Sequence, residues 1–168
     1  GVATVFTLAR FSEAFLVLRA QSVGLPIMLV PAVLVVMGVA YAASAYPVGA
    51  LSDRVDPVTL LILGLLLLLA ADLALALAPG VIGLAIGVIL WGLHMGFTQG
   101  LFATLVANAA PAELRGTAFG VFNLVTGVAL LFARVVAGAR WDLAGPGATF
   151  LAGGAFALLT LAGLMPIR

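Results

Sequence analysis

Arg10 and Glu13 are the residues of this chain best placed to do chemistry. They stand three apart in an otherwise apolar run, so a helix brings them to one face together with Phe6, Ala14 and Val17. An ionisable side chain at the centre of a bilayer costs about 2.5–3.5 kcal/mol on insertion scales, so a pair inside an apolar segment asks for a reason. One reading is a cavity-lining site that couples protons or meets a substrate. The other is an intramembrane ion pair that holds two helices in register. The residue types fit both.

A second group surrounds the chain's one histidine, in Trp91-Gly92-Leu93-His94-Met95-Gly96-Phe97-Thr98-Gln99-Gly100. Helical spacing puts Trp91, His94, Thr98 and Phe102 on one side. Gly92, Gly96 and Gly100 form a ridge on roughly the opposite side, where a neighbouring backbone can approach closely. The His94 side, with Thr98 and Gln99 at its edge, is then expected to face a cavity or to be hydrogen-bonded in the interior. A metal site is not expected: there is no second histidine, no cysteine, and few acids.

A third group is Asn123 and Arg134, on one helix face with Gly116, Gly120 and Gly127. Arg134 is suited to an anionic substrate group. It is equally suited to pairing with Asp72, for which Arg19 and Arg140 are the other candidate partners. Met37, Tyr41 and Ser44 make a mildly polar face on another segment. No catalytic constellation is present: the chain has no Gly-x-Ser-x-Gly segment, no His-Glu-x-x-His, no Walker-type loop and no dinucleotide fingerprint. No enzyme activity and no cofactor are expected.

The elements that must position these residues follow from composition. Of 168 residues, 65% are hydrophobic and 8% charged, with a mean hydropathy of +1.34. A soluble domain carries about 25% charged residues; this chain has too little polar surface to cover a water-facing globule, and its solvent is lipid. All seven basic residues are arginine, and they form no cluster that could bind nucleic acid. No basic n-region or cleavage site precedes a span, and the first residue is Gly, so no signal peptide is read and the chain is expected to begin mid-protein or after trimming.

Six segments are long enough to span, at roughly 2–22, 27–51, 57–78, 81–107, 111–138 and 146–165. Asp56-Pro57 is a helix start, with Asp as cap and Pro in the first turn. The connections are short, so consecutive helices are antiparallel neighbours. Arg54, Arg115 and Arg168 fall on one side and Arg19 and Arg140 on the other, which makes the first side cytoplasmic.

Gly49-Ala50-Leu51-Ser52-Asp53-Arg54 resembles the first half of the loop motif G-x-L-x-D-R-x-G-R-K/R of the major facilitator superfamily. The second half departs, because Asp56 and Pro57 stand where Gly and Arg belong. Pro111 to Gly120 is similar to the start of the eleventh helix in that superfamily, and Ala139 to Pro146 to the loop that follows it. The likeness implies an all-α integral membrane fold of six transmembrane helices forming one half of a major facilitator: the C-terminal half, helices seven to twelve, of a bacterial drug-efflux-like member in the inner membrane. It implies a secondary active transporter, or half of one, that moves a small solute by alternating access. It also implies a gating role for Gly49, Asp53 and Arg54, with Asp53 close to Arg115 at the positive end of the fifth helix. Glu13 becomes the expected proton-coupling carboxylate and Arg10 its partner. The expected partners are the bilayer, a small-molecule substrate and a second six-helix half, supplied either by a separate N-terminal half or by a second copy in a homodimer. A non-transporting membrane scaffold or regulatory subunit is the alternative from a different class.

Overall fold

Asp56 shows how these helices begin. Its carboxylate accepts a hydrogen bond from the Thr59 backbone N–H at 3.1 Å, and Pro57 fills the first helical position, where no N–H is needed. One of the orphan donors at the helix start is thereby satisfied before the chain enters a long leucine run.

The structure, a computed structural model, describes Ala9 and residues 13–164. The described residues form five α-helices: α1 (Ala14–Ser22), α2 (Val30–Ser52), α3 (Pro57–Leu77), α4 (Gly80–Ala109) and α5 (Arg115–Leu164). Short 3-10 turns at Ile27–Leu29 and Ala112–Leu114 lead into α2 and α5. Four stretches are long and apolar enough to cross a membrane: Ile27–Ser52, Pro57–Leu77, Gly80–Asn108 and Ala112–Leu164.

The described residues do not show the expected six helices as six separate elements. The segments expected at 111–138 and 146–165 belong to one run of 50 residues, interrupted at Gly145, where φ is +79° and ψ is 178°. A helix that long would extend about 75 Å at 1.5 Å per residue, far beyond a bilayer core of about 30 Å. Gly145 is the break, because the left-handed φ is one that only glycine adopts without strain, and Pro146 behind it cannot donate back into the preceding turn. The segment expected at 2–22 is represented in the described residues by Ala9 and α1.

The order of packing can be read from glycines. A Cβ on Gly64 of α3 would stand 2.5 Å from the Thr98 methyl and 3.1 Å from the Phe97 Cβ of α4, and one on Gly87 of α4 would overlap Leu75 of α3. The pairing runs in opposite senses, so α3 and α4 are antiparallel. Gly92 meets Met37 and Ala40, and Gly96 meets Ser44 and Ala45, so α2 and α4 run parallel. Gly154 of α5 lies over Leu69 and Asp72, and Gly147 faces the Ala76 carbonyl, so the stretch after Gly145 runs antiparallel to α3. The helices are therefore ordered α2, α4, α3 and the end of α5. Close approach at small residues is how helices associate where the surrounding solvent is as apolar as the side chains.

The apolar core lies along these contacts, with Leu60, Leu65, Leu68, Leu75, Trp91 and Phe150 fully buried. Outside it, Leu34, Val35, Val39, Ile82, Ile86, Leu131, Phe132 and Val135 are exposed. That surface would be a liability in water and is the natural one in lipid.

Candidate functional site: a glycine-floored cleft beside the loop motif

Between α2 and α4 there is a cleft of about 120 Å³ lined by Tyr41, Ala45, Val48, Gly49, Ser52, Gly96, Gly100 and Leu101. Its depth follows from the glycine ridge. At Gly92 and Gly96 the α2 backbone lies so close that a Cβ would overlap the Met37 carbonyl or the Ser44 hydroxyl. At Gly100, one turn further, a Cβ would meet nothing within 4 Å. The two helices thus touch at Gly92 and Gly96 and diverge at Gly100, and the divergence is the cleft.

The polar groups near it are largely self-satisfied. Ser44 Oγ donates within its own helix, with the Ala40 and Tyr41 carbonyls at 2.9 and 3.0 Å. Ser52 Oγ donates to the Gly49 carbonyl at 2.6 Å. No ionisable side chain lines the cleft apart from the Tyr41 phenol. The arrangement can receive an apolar or weakly polar group; it has no nucleophile, acid or base poised for catalysis.

Gly49 and Ser52 place the loop motif at one end of this cleft. The chain after it is wound tightly: Arg54 and Val55 both donate backbone N–H groups to the Leu51 carbonyl, at 3.0 and 2.9 Å. Asp53 and Arg54 are exposed. Arg115 donates from Nε to the Ala107 carbonyl at 3.2 Å, tying the start of α5 to the end of α4. No hydrogen bond or ion pair joins Asp53 to Arg115 in this structure.

The other sequence candidates are dispersed. His94 and Thr98 do not line this cleft. They are fully buried against α3. His94 Nδ1 lies 2.7 Å from the Gly64 carbonyl oxygen, and because that oxygen can only accept, Nδ1 carries the proton. Thr98 Oγ1 donates to the His94 carbonyl at 2.9 Å. Gln99 is half-buried at the edge of the ridge. Glu13 is partly buried just before α1, and Arg10 lies outside the described residues. Asn123 and Arg134 are exposed on the first part of α5. The structure does not gather Glu13, His94, Asn123 and Arg134 around the cleft.

The expected pairing of Asp72 with Arg134, Arg19 or Arg140 is absent. Both Asp72 carboxyl oxygens are buried without a hydrogen-bond partner. Arg19 turns instead to Ser22 Oγ at 3.4 Å and to the Ala78 carbonyl at 3.5 Å. Among the described residues no group of three His, Cys, Asp or Glu side chains could hold a metal ion. Ala45, Val48 and Leu101, which line the cleft, carry no signal in the sequence; only a neighbouring helix distinguishes them from the lipid-facing alanines, valines and leucines around them.

Long apolar helices, glycine contacts between them and a short motif-bearing turn define a multi-pass membrane protein. Residues 2–168 match the sequence profile of the Major Facilitator Superfamily, and the chain belongs to that family. It is 28% identical over 165 residues to an uncharacterized MFS-type transporter of Methanocaldococcus jannaschii, an alignment that covers 95% of this chain and 41% of that relative. The chain thus spans less than half the length of the relative it matches.

Proposed function

We propose that this chain supplies one half of a secondary transporter, moving a small solute across a bacterial inner membrane by alternating access. Membership of the family supports the class. The observation that carries the reading is the cleft between α2 and α4, which opens beside Gly49 and Ser52 of the loop motif, one turn beyond the close backbone approach at Gly92 and Gly96. A pair of helices that touches at one level and diverges at the next can rock about the contact with little loss of buried area.

In this reading the second half is a separate six-helix unit, in keeping with a relative more than twice as long as this chain. The six helices of the present half are α1, α2, α3, α4, and the two stretches of α5 on either side of Gly145. Asp53 and Arg115 act as the latch on the cytoplasmic face, engaged in one state of the cycle and apart in the state seen here. Glu13, with Arg10, is the proton-coupling group, and Arg134 and Asn123 meet polar parts of the solute.

The test is proton movement in reconstituted vesicles, read by a trapped pH-sensitive dye while a panel of small lipophilic cations is added outside. The reading expects at least one cation to drive proton flux, and Glu13→Gln to abolish that flux while leaving downhill movement of the same cation. Flux unchanged in Glu13→Gln removes the coupling role. A cleft that stays closed to solvent under every condition favours a membrane scaffold instead.

A further inference from the structure

Asp72 lies apart from the cleft, on the other side of the helix row, and belongs to none of the roles above. It is fully buried, and neither carboxyl oxygen has a hydrogen-bond partner. The lid over it is the backbone of α5: a Cβ on Gly154 would come within 3.3 Å of the Leu69 side chain and 3.7 Å of the Asp72 Cβ. Gly154 is buried there, so a residue without a side chain leaves the space beside Asp72 open.

Among the described residues no cation is hydrogen-bonded to it from the helices packed on α3. The one ionisable side chain of α4 that could approach is His94, and its Nδ1 is committed to Gly64, two turns along α3. The stretch of α5 after Gly145 that covers Asp72 contains no titratable residue. Before Gly145, Arg140 and Asp142 are exposed. From α1, Arg19 reaches the Ala78 carbonyl, just past the end of α3. Asp72 is five residues short of that end at Leu77, about 7.5 Å along the helix axis. An ionised carboxylate without donor or counter-ion is not sustained in such a place. Arg19 is hydrogen-bonded at that end of α3.

We propose that Asp72 is a proton-binding switch on the packing of α3 against the end of α5. With an O–H bond on the carboxyl, the two helices close over it at Gly154. When the proton leaves for water at the face marked by Ala78, the carboxylate draws water or the Arg19 guanidinium inward and the helices part at that face. Proton uptake reverses the step. The switch does not depend on transport or on the cleft, so it stands or falls separately from the function proposed above.

The experiment is thermal unfolding of the purified full chain in lipid nanodiscs between about pH 5 and about pH 9, for the wild type, Asp72→Asn and Glu13→Gln. A closed state that holds a proton the unfolded chain gives up is stable at low pH and loses that stability as pH rises. The wild type and Glu13→Gln should melt roughly 3 °C or more lower at the alkaline end, and Asp72→Asn should lose that difference. Infrared difference spectra over the same range should show a protonated-carboxyl stretch that is missing in Asp72→Asn and displaced in Asp72→Glu. The second readout also serves if Asp72→Asn fails to fold, because Asp72→Glu keeps the acid. A wild type without this pH dependence, an Asp72→Asn that retains it in full, or a spectrum unaltered by Asp72→Glu overturns the proposal.

Discussion

His94 donates from Nδ1 to the carbonyl oxygen of Gly64 at 2.7 Å, so the chain's one histidine ties α4 to α3. Gly64 is the residue that makes this possible. Any side chain there would meet the Thr98 methyl and the Phe97 Cβ and hold α4 away from the carbonyl. Truncating the histidine leaves a cavity and loses the bond. His94→Ala should therefore destabilise the helix pair by about 2–5 kcal/mol, a cavity cost of the kind seen for large apolar truncations with a hydrogen bond added. Chemical unfolding in mixed micelles measures it. Transport per folded molecule should change little, because His94 is remote from the cleft.

The α2–α4 contact should respond to single methyl groups in a position-dependent way. Gly96→Ala drives a methyl into Ser44 Oγ and should cost about 1–3 kcal/mol. Ser44→Gly in the same molecule should restore much of that loss, with a coupling energy of about 0.5–3 kcal/mol. Gly100→Ala, one turn along, meets open space, and should change stability by no more than about 0.5 kcal/mol. A double-mutant cycle on melting temperature distinguishes the three.

Asp56→Ala should cost about 1 kcal/mol by freeing the Thr59 N–H from its cap. The effect is local to the start of α3, so amide exchange at residues 58–60 should quicken while exchange near Leu68 is unchanged.

How much of this was legible beforehand depends on what each residue answers to. The cap at Asp56-Pro57 depends on its immediate neighbours, and sequence suffices to place it. The Gly92 and Gly96 ridge was readable as a contact surface for the same reason, since small residues four apart share a face of their own helix. Helical spacing put His94 and Thr98 opposite the ridge and left two readings, a cavity or an interior hydrogen bond; the bond to Gly64 is the second, and its partner on α3 lies thirty residues away, beyond the reach of local pattern. Arg140 and Asp142 looked like the end of a span because charge leaves the bilayer. Backbone hydrogen bonding is indifferent to that boundary, and the helix continues to Gly145. Asp72 looked paired because an isolated carboxyl in an apolar helix is costly; its neighbour across the helix contact is Gly154, far along the chain.

Asp53→Asn separates a latch from a loop anchor. The side chain is exposed and unbonded to Arg115 in this structure, so stability should move by less than about 0.5 kcal/mol. If Asp53 engages Arg115 in another state of the cycle, turnover should nevertheless fall by about tenfold, equivalent to ~1.4 kcal/mol. Arg115→Ala should fall by a similar factor, and the two changes together should cost no more than either alone.

The central claim is that the cleft between α2 and α4 opens to one side of the membrane at a time. The chain has no cysteine, so a single Gly100→Cys places one thiol in the open part of the cleft without a clash. Its rate of reaction with a membrane-impermeant maleimide, applied from each side of reconstituted vesicles, is the direct measurement. Alternating access predicts reaction from the cytoplasmic side in resting vesicles and a marked slowing when a pH gradient or a transported cation is imposed. Equal reaction from both sides, or a rate indifferent to gradient and cation alike, would contradict it.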